Sequence, residues 1–136
     1  MEGVGGLVFV EEDLNLQELS PLVLAYVGDA VYELFIRTKL IAFPAKVHQL
    51  HREAVKYVQA SSQAEIIRSW EPHLTEKEKD VVRRGRNAKS GVPRHGDVVE
   101  YRYSTGMEAL IGYLYLSNQH ERLKELLNNV APTLKS

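Results

Sequence analysis

Ser20-Pro21-Leu22-Val23-Leu24-Ala25-Tyr26-Val27-Gly28-Asp29-Ala30-Val31-Tyr32-Glu33-Leu34-Phe35-Ile36-Arg37-Thr38-Lys39-Leu40 is the stretch that decides the fold class. Ser20 can cap a helix, Pro21 suits the first helical position, and Leu22 to Leu40 is apolar on nearly every side. The stretch therefore predicts a central, buried helix. Asp29 stands in its middle, where a bare carboxylate would lose its water, so it needs a partner or a metal. Glu33, one turn further on, shares its face and could aim a second carboxylate the same way. The plainer reading is that Asp29 pairs with an Arg or Lys at a helix crossing, as buried charges usually do.

Outward from this helix the helical period continues. Pro44 interrupts, and Ala45 to Ala60 places Val47, Leu50, Ala54, Val55 and Val58 at spacings of three and four, an amphipathic surface helix. Ser61-Ser62 restarts a helix through Ala64, Ile66 and Ile67 to Trp70; Pro72 stops it, and Thr75-x-x-Glu78 opens the next with a capping box. Gly85 to Asp97, with Gly85, Gly91, Pro93 and Gly96 among basic and polar side chains, reads as an exposed basic loop. Thr105 to Leu116 and Glu121 to Val130 are again helical in period. No segment alternates with period two, and there are no repeats, so the expected class is all-α.

Composition narrows the function classes. With 136 residues and 44% hydrophobic content the chain fits one domain with a sizeable core. No cysteine occurs, which excludes a disulfide framework, a thiolate zinc site and a cysteine nucleophile, and fits a cytoplasmic location. No apolar run is long enough to span a bilayer, and the opening residues lack the basic start of a signal peptide. Net charge is only -1. Its distribution is uneven: Lys77, Lys79, Arg83, Arg84, Arg86, Lys89 and Arg94 face only Glu78 and Asp80, so this segment carries +5 and the rest -6.

A second carboxylate sits at an apolar helix: Glu108, in Thr105-Gly106-Met107-Glu108-Ala109-Leu110-Ile111-Gly112. Thr105-x-x-Glu108 also fits a capping box, with Glu108 reaching back to the backbone of Thr105. Asp29 and Glu108 each have a glycine nearby, Gly28 and Gly112, that would let two helix backbones approach. Oxygen ligands without His or Cys favour magnesium or manganese, and such an ion can activate water and neutralise a phosphodiester. Arg83-Arg84-Gly85-Arg86-Asn87-Ala88-Lys89-Ser90-Gly91 can be a solvated charge run; its interleaved Gly, Asn and Ser fit phosphate contact better. His48-x-x-His51 has a metal-like spacing but no third ligand, and reads as surface histidines. Tyr26, Tyr32, Tyr113 and Tyr115 read as core or interface packing.

Val27-Gly28-Asp29-Ala30-Val31, followed much later by Glu108-Ala109-Leu110-Ile111-Gly112, resembles the two signature segments of the ribonuclease III catalytic domain. Arg84-Gly85-Arg86-Asn87-Ala88-Lys89 and Tyr101-Arg102-Tyr103-Ser104-Thr105 are similar to its Mini-III subclass. The resemblance covers roughly Leu19 to Val130. It implies a catalytic domain over 19–136 behind a loose segment 1–18, a homodimer with Tyr26 at its interface, and one active site per subunit along a shared duplex-binding valley. Asp29 and Glu108 would be the essential acids that hold magnesium, or manganese in its place, and the hydrolytic water, leaving 5′-phosphate and 3′-hydroxyl ends.

Two departures qualify the resemblance. Typical family members carry acids where this chain has Ala25 and Thr105, a reduced set that the Mini-III pattern shares. The chain also leaves no room for the appended double-stranded-RNA-binding domain, so duplex RNA would be held by Arg83, Arg84, Arg86, Asn87, Lys89 and Arg94, assisted by Lys46, His51 and Arg52, with strong salt dependence. In the subclass the expected substrate is the precursor of the large-subunit 23S ribosomal RNA. Two further readings stand beside this one. The first is a catalytically silent module of the same fold that binds structured or ribosomal RNA. The second is a plain helical interaction protein, which predicts Asp29 and Glu108 far apart.

Overall fold

The structure, a computed structural model, describes residues 15–88 and 97–130. The expectations for Met1–Asp13, Lys89 and Arg94 lie outside those residues. A 3-10 turn at Leu16–Glu18 leads to Ser20, whose side chain accepts from the Val23 amide at 3.2 Å and opens α1 (Pro21–Leu40). The surface helix α2 (Val47–Val58) follows, then α3 (Ala60–Trp70) and a second 3-10 turn at Glu71–His73. Next come α4 (Glu76–Asn87), α5 (Val98–Leu116) and α6 (His120–Leu127). No strand occurs among the described residues. None of their helices is long and apolar enough to cross a membrane.

The axis of the fold is α5, where the core cluster of Met107, Ala109, Leu110, Ile111 and Leu114 is fully covered. Two crossings bring neighbours against it without intervening side chains. A Cβ on Gly28 would stand 1.7 Å from the Glu108 carbonyl oxygen, and one on Gly112 would stand 1.9 Å from the Leu24 carbonyl oxygen, so α1 and α5 meet backbone to backbone. On the other flank a Cβ on Gly85 would lie 2.9 Å from the Gly106 Cα, which seats α4 on α5. The glycine pair at the first crossing was read from the sequence; the second was not.

Three expectations are corrected. α1 is central, but it is not buried all round: Leu24, Gly28, Tyr32, Ile36 and Leu40 face the core, while Val23, Tyr26 and Leu34 face outward, Tyr26 at 81% exposure. No described element covers that side. The basic loop expected from Gly85 is helical to Asn87, because Val81, Val82 and Gly85 form a narrow buried strip that holds α4 against α5. The helix expected from Thr105 starts instead at Val98, capped by Asp97, whose side chain accepts from the amides of Val99 and Glu100 at 2.8 and 3.2 Å. Thr105 is thus a buried mid-helix residue whose hydroxyl donates to the Tyr101 carbonyl at 3.1 Å, and the capping box with Glu108 does not exist.

The capping box at Thr105 fails, but the one at Thr75 holds, with Thr75 accepting from the Glu78 amide at 3.1 Å and Glu78 accepting from the Thr75 amide at 2.9 Å. Glu78 does more than cap. Its buried carboxylate takes two hydrogen bonds from Arg122 of α6, at 2.8 and 2.9 Å, and Arg122 also donates to the His73 carbonyl at 2.7 Å. This paired, fully bonded arrangement holds the Glu78 carboxyl below its ordinary range and fastens α6 to the start of α4.

Candidate active site and nucleic-acid interface

The close approach at Gly28 and Gly112 sets the chemistry of the next residues along each helix. Asp29 follows Gly28 on α1, and Glu108 lies one turn before Gly112 on α5, so the two carboxyls meet across the crossing, close enough for Asp29 to act on Glu108. Gln63 of α3, only 1% exposed, donates to the Val58 carbonyl at 3.3 Å and lies near enough to Glu108 to favour its charged form. Glu33 adds its field from one turn along α1 and is itself paired with Arg37 at 3.1 Å.

Burial and, after it, the neighbouring Asp29 push the Glu108 carboxyl up to about 8, with Gln63 opposing them. At neutral pH and without a cation the Glu108 carboxyl is mostly protonated. Such a pair is a site for positive charge: oxygen donors only, one of them neutralised for want of a cation. Among the described residues no group of three or more His, Cys, Asp or Glu could hold a metal. A hard cation between Asp29 and Glu108 would need water or substrate to complete its shell. His48 and His51 are both exposed on α2 and belong to no such group.

Asp29 is exposed rather than buried, a correction to the expectation drawn from its apolar surroundings. It sits at the edge of the face that α1 turns to α5, so one side of the carboxylate keeps its water. Glu108 is the desolvated partner. Ala25 and Thr105, at the positions of the missing acids, are both buried.

Among the described residues the basic side chains of α4 do not all face one way. Arg83 pairs with Asp80 on its own helix. Arg84 lines a small cavity with Lys77, Leu24 and Tyr113 on the side toward α1, whereas Arg83 and Arg86 line another with Leu74 and Val82. Arg86 packs its guanidinium over Tyr103 at 4.1 Å from the ring centroid. Asn87 is exposed at the last turn of α4, and Lys46, His51 and Arg52 are exposed on α2. Gln63 was missed in the sequence although its signal was present: it shares a face with Ile67 and Trp70, at spacings of four and seven, and is the polar residue on that apolar stripe.

An all-helical domain with two carboxyls joined across a glycine crossing defines a class, and the ribonuclease III domain family matches residues 22–119. The chain belongs to the ribonuclease III family, and its similar relatives mark the Mini-III subclass. A protein named Mini-ribonuclease 3 from Symbiobacterium thermophilum is 56% identical over 119 residues, covering 86% of this chain and 92% of the relative. Another of that name from a Thermoanaerobacter species is 57% identical over 111 residues, covering 80% and 78%. A solved crystal structure of a Fusobacterium nucleatum protein superposes with a TM-score of 0.79 at 34% identity, covering 84% of this chain and 93% of that one.

Proposed function

We propose that the chain is a divalent-metal-dependent endoribonuclease that hydrolyses phosphodiester bonds of double-stranded RNA, leaving 5′-phosphate ends, with Asp29 and Glu108 as its catalytic acids. The observation that carries this is the meeting of the two carboxyls at the Gly28–Gly112 crossing. It counts against a plain interaction protein, which has no use for a carboxyl held in its protonated form beside another. Magnesium, or manganese in its place, would be held by Asp29 and Glu108, where it neutralises the phosphodiester oxygen and lowers the pKa of a water. Glu108, desolvated on α5, then gives up its proton to bind the ion, and solvent-facing Asp29 supplies the open side from which RNA reaches the site.

The working unit is a homodimer. Val23, Tyr26, Ala30 and Leu34 repeat at spacings of three and four along the outer face of α1, all exposed, and a second copy of the same helix would cover them. Arg83, Arg84, Arg86, Asn87, Lys89 and Arg94 hold the duplex backbone. The proposed substrate is a stem of the precursor 23S ribosomal RNA, in the cytoplasm. One observation favours a silent RNA-binding module instead: Ala25 and Thr105 leave the site with two of the usual acids.

The test is cleavage of a long RNA duplex with magnesium at low salt by the parent, Asp29→Asn and Glu108→Gln. Loss of cutting by about 10²-fold or more in both variants, with duplex binding retained, supports the nuclease. A parent that binds duplex without cutting under any divalent ion supports the silent module. Mapping the ends released from a 23S precursor transcript tests the substrate.

A further inference from the structure

Tyr103 of α5 is flanked by two guanidinium groups. Arg86 of α4 lies 4.1 Å from its ring centroid and Arg68 of α3 lies 4.6 Å from it, both well inside the range of a cation–π contact. Arg37, Arg83 and Arg122 each have a carboxylate partner. Among the described residues Arg68 and Arg86 have none, and share only the ring. Two like charges on one aromatic side chain repel, and an anion placed between or beside them relieves that repulsion. The ring also holds both guanidinium planes in place while leaving their N–H edges free, so little side-chain freedom remains to be lost on binding.

The arrangement is built into the helix packing. Arg86 reaches Tyr103 because position 106 is glycine: a Cβ there would stand 2.9 Å from the Arg86 Cγ. Along α3, Gln63 meets Glu108, and five residues later Arg68 meets Tyr103, five residues before Glu108 on α5. Five residues of helix advance about 7.5 Å and turn about 140°. The cationic pair therefore lies beyond the carboxyls and on a different flank of α5, away from the bond that would be hydrolysed beside Asp29 and Glu108.

We infer that Arg68, a residue outside the basic segment, binds a backbone phosphate of duplex RNA together with Arg86, at a nucleotide removed from the cleaved bond. The inference rests on the reading of the chain as a duplex-RNA enzyme. Its role is in holding RNA, not in the chemical step, and Tyr103 acts as the platform for both arginines.

The experiment measures binding of a fluorescent 30-base-pair RNA by the full chain across a potassium chloride series, with calcium replacing magnesium. Single-turnover cleavage at saturating enzyme with magnesium follows. Arg68→Ala is expected to weaken binding about three- to tenfold at low salt and to lower the slope of log K against log salt by about one. Its cleavage rate at saturation should match the parent. Arg68→Lys should keep the slope and lose part of the affinity, and Tyr103→Phe should behave as the parent. An unchanged slope in Arg68→Ala, with only a lower melting temperature, overturns the inference and leaves a purely structural stack. A parent that fails to bind the duplex overturns the inference and, separately, the RNA reading on which it rests.

Discussion

The two glycine crossings of α5 are built alike and do opposite work. At Gly28–Gly112 the backbones of α1 and α5 touch, and the residues beside the contact are acids that are drawn together until one keeps a proton. At Gly85–Gly106 the contact is looser, and the residues beside it are cations spread over a tyrosine. Close packing removes side chains from the crossing itself, so whatever flanks it is held at fixed spacing. A site for a cation and a site for a phosphate can thus occupy two flanks of one helix, without a loop to position either.

The largest effect that separates the crossings is steric. Gly28→Ala places a methyl 1.7 Å from the Glu108 carbonyl oxygen and 2.8 Å from the Gly112 amide nitrogen, both backbone, so the helices must part. Destabilisation beyond the usual 1–3 kcal/mol of overpacking is expected, or failure to fold, read by urea unfolding followed by circular dichroism. Gly85→Ala meets Gly106 Cα at 2.9 Å and the Ala109 methyl at 3.0 Å, and should stay within about 1–3 kcal/mol. Equal effects would show that the two crossings are equally tight and would break the comparison.

The next effect is electrostatic and belongs to the acidic crossing alone. Glu108 is held near 8 in the folded chain, above its ordinary carboxylate value, by burial and by Asp29, with Glu33 adding charge and Gln63 opposing. The folded state therefore binds the extra proton. The stabilisation this gives is fully present below the unfolded value and is lost as pH rises through about 8. In chelator, the melting temperature of the parent should fall between pH 5 and 9 more steeply than that of Glu108→Gln, whose amide does not titrate. Magnesium should flatten the parent's fall. Parallel curves for the two proteins would mean that the carboxyls are not coupled.

How legible each crossing was in the sequence follows from what surrounds it. The first lies in long apolar runs with capping signals, and Gly28 and Gly112 stand out there as gaps. The second lies among Arg83, Arg84, Arg86 and Asn87, where beside Glu78 only Val81, Val82 and Gly85 of α4 are buried; so thin a strip leaves almost no periodicity, and its glycine read as loop punctuation. The early start of α5 was hidden for the same reason, since Tyr101-Arg102-Tyr103-Ser104-Thr105 is polar and Thr105 mimics a cap. The exposure of Asp29 and Tyr26 depends on which faces of α1 the rest of the chain can reach, and that is a property of packing. The Glu78–Arg122 pair joins residues 44 apart and has no local pattern at all.

The smallest effect concerns Gln63, which links the acidic site to the helix that also carries Arg68. Gln63→Leu keeps the volume and the apolar stripe with Ile67 and Trp70, and removes the amide that favours the charged form of Glu108. Losing that amide should raise the carboxyl further and make metal binding compete harder with the proton. The single-turnover cleavage profile should therefore shift to higher pH, with a few-fold loss at neutral pH that is recovered by more magnesium or by more alkaline buffer. Gln63→Asn, a shorter amide, should recover part of the profile only if it still reaches the carboxyl. A lowered rate with the same pH dependence at every magnesium concentration would mean that Gln63 merely fills space. The acidic crossing would then consist of α1 and α5 alone, with α3 contributing to the basic flank and not to the chemistry.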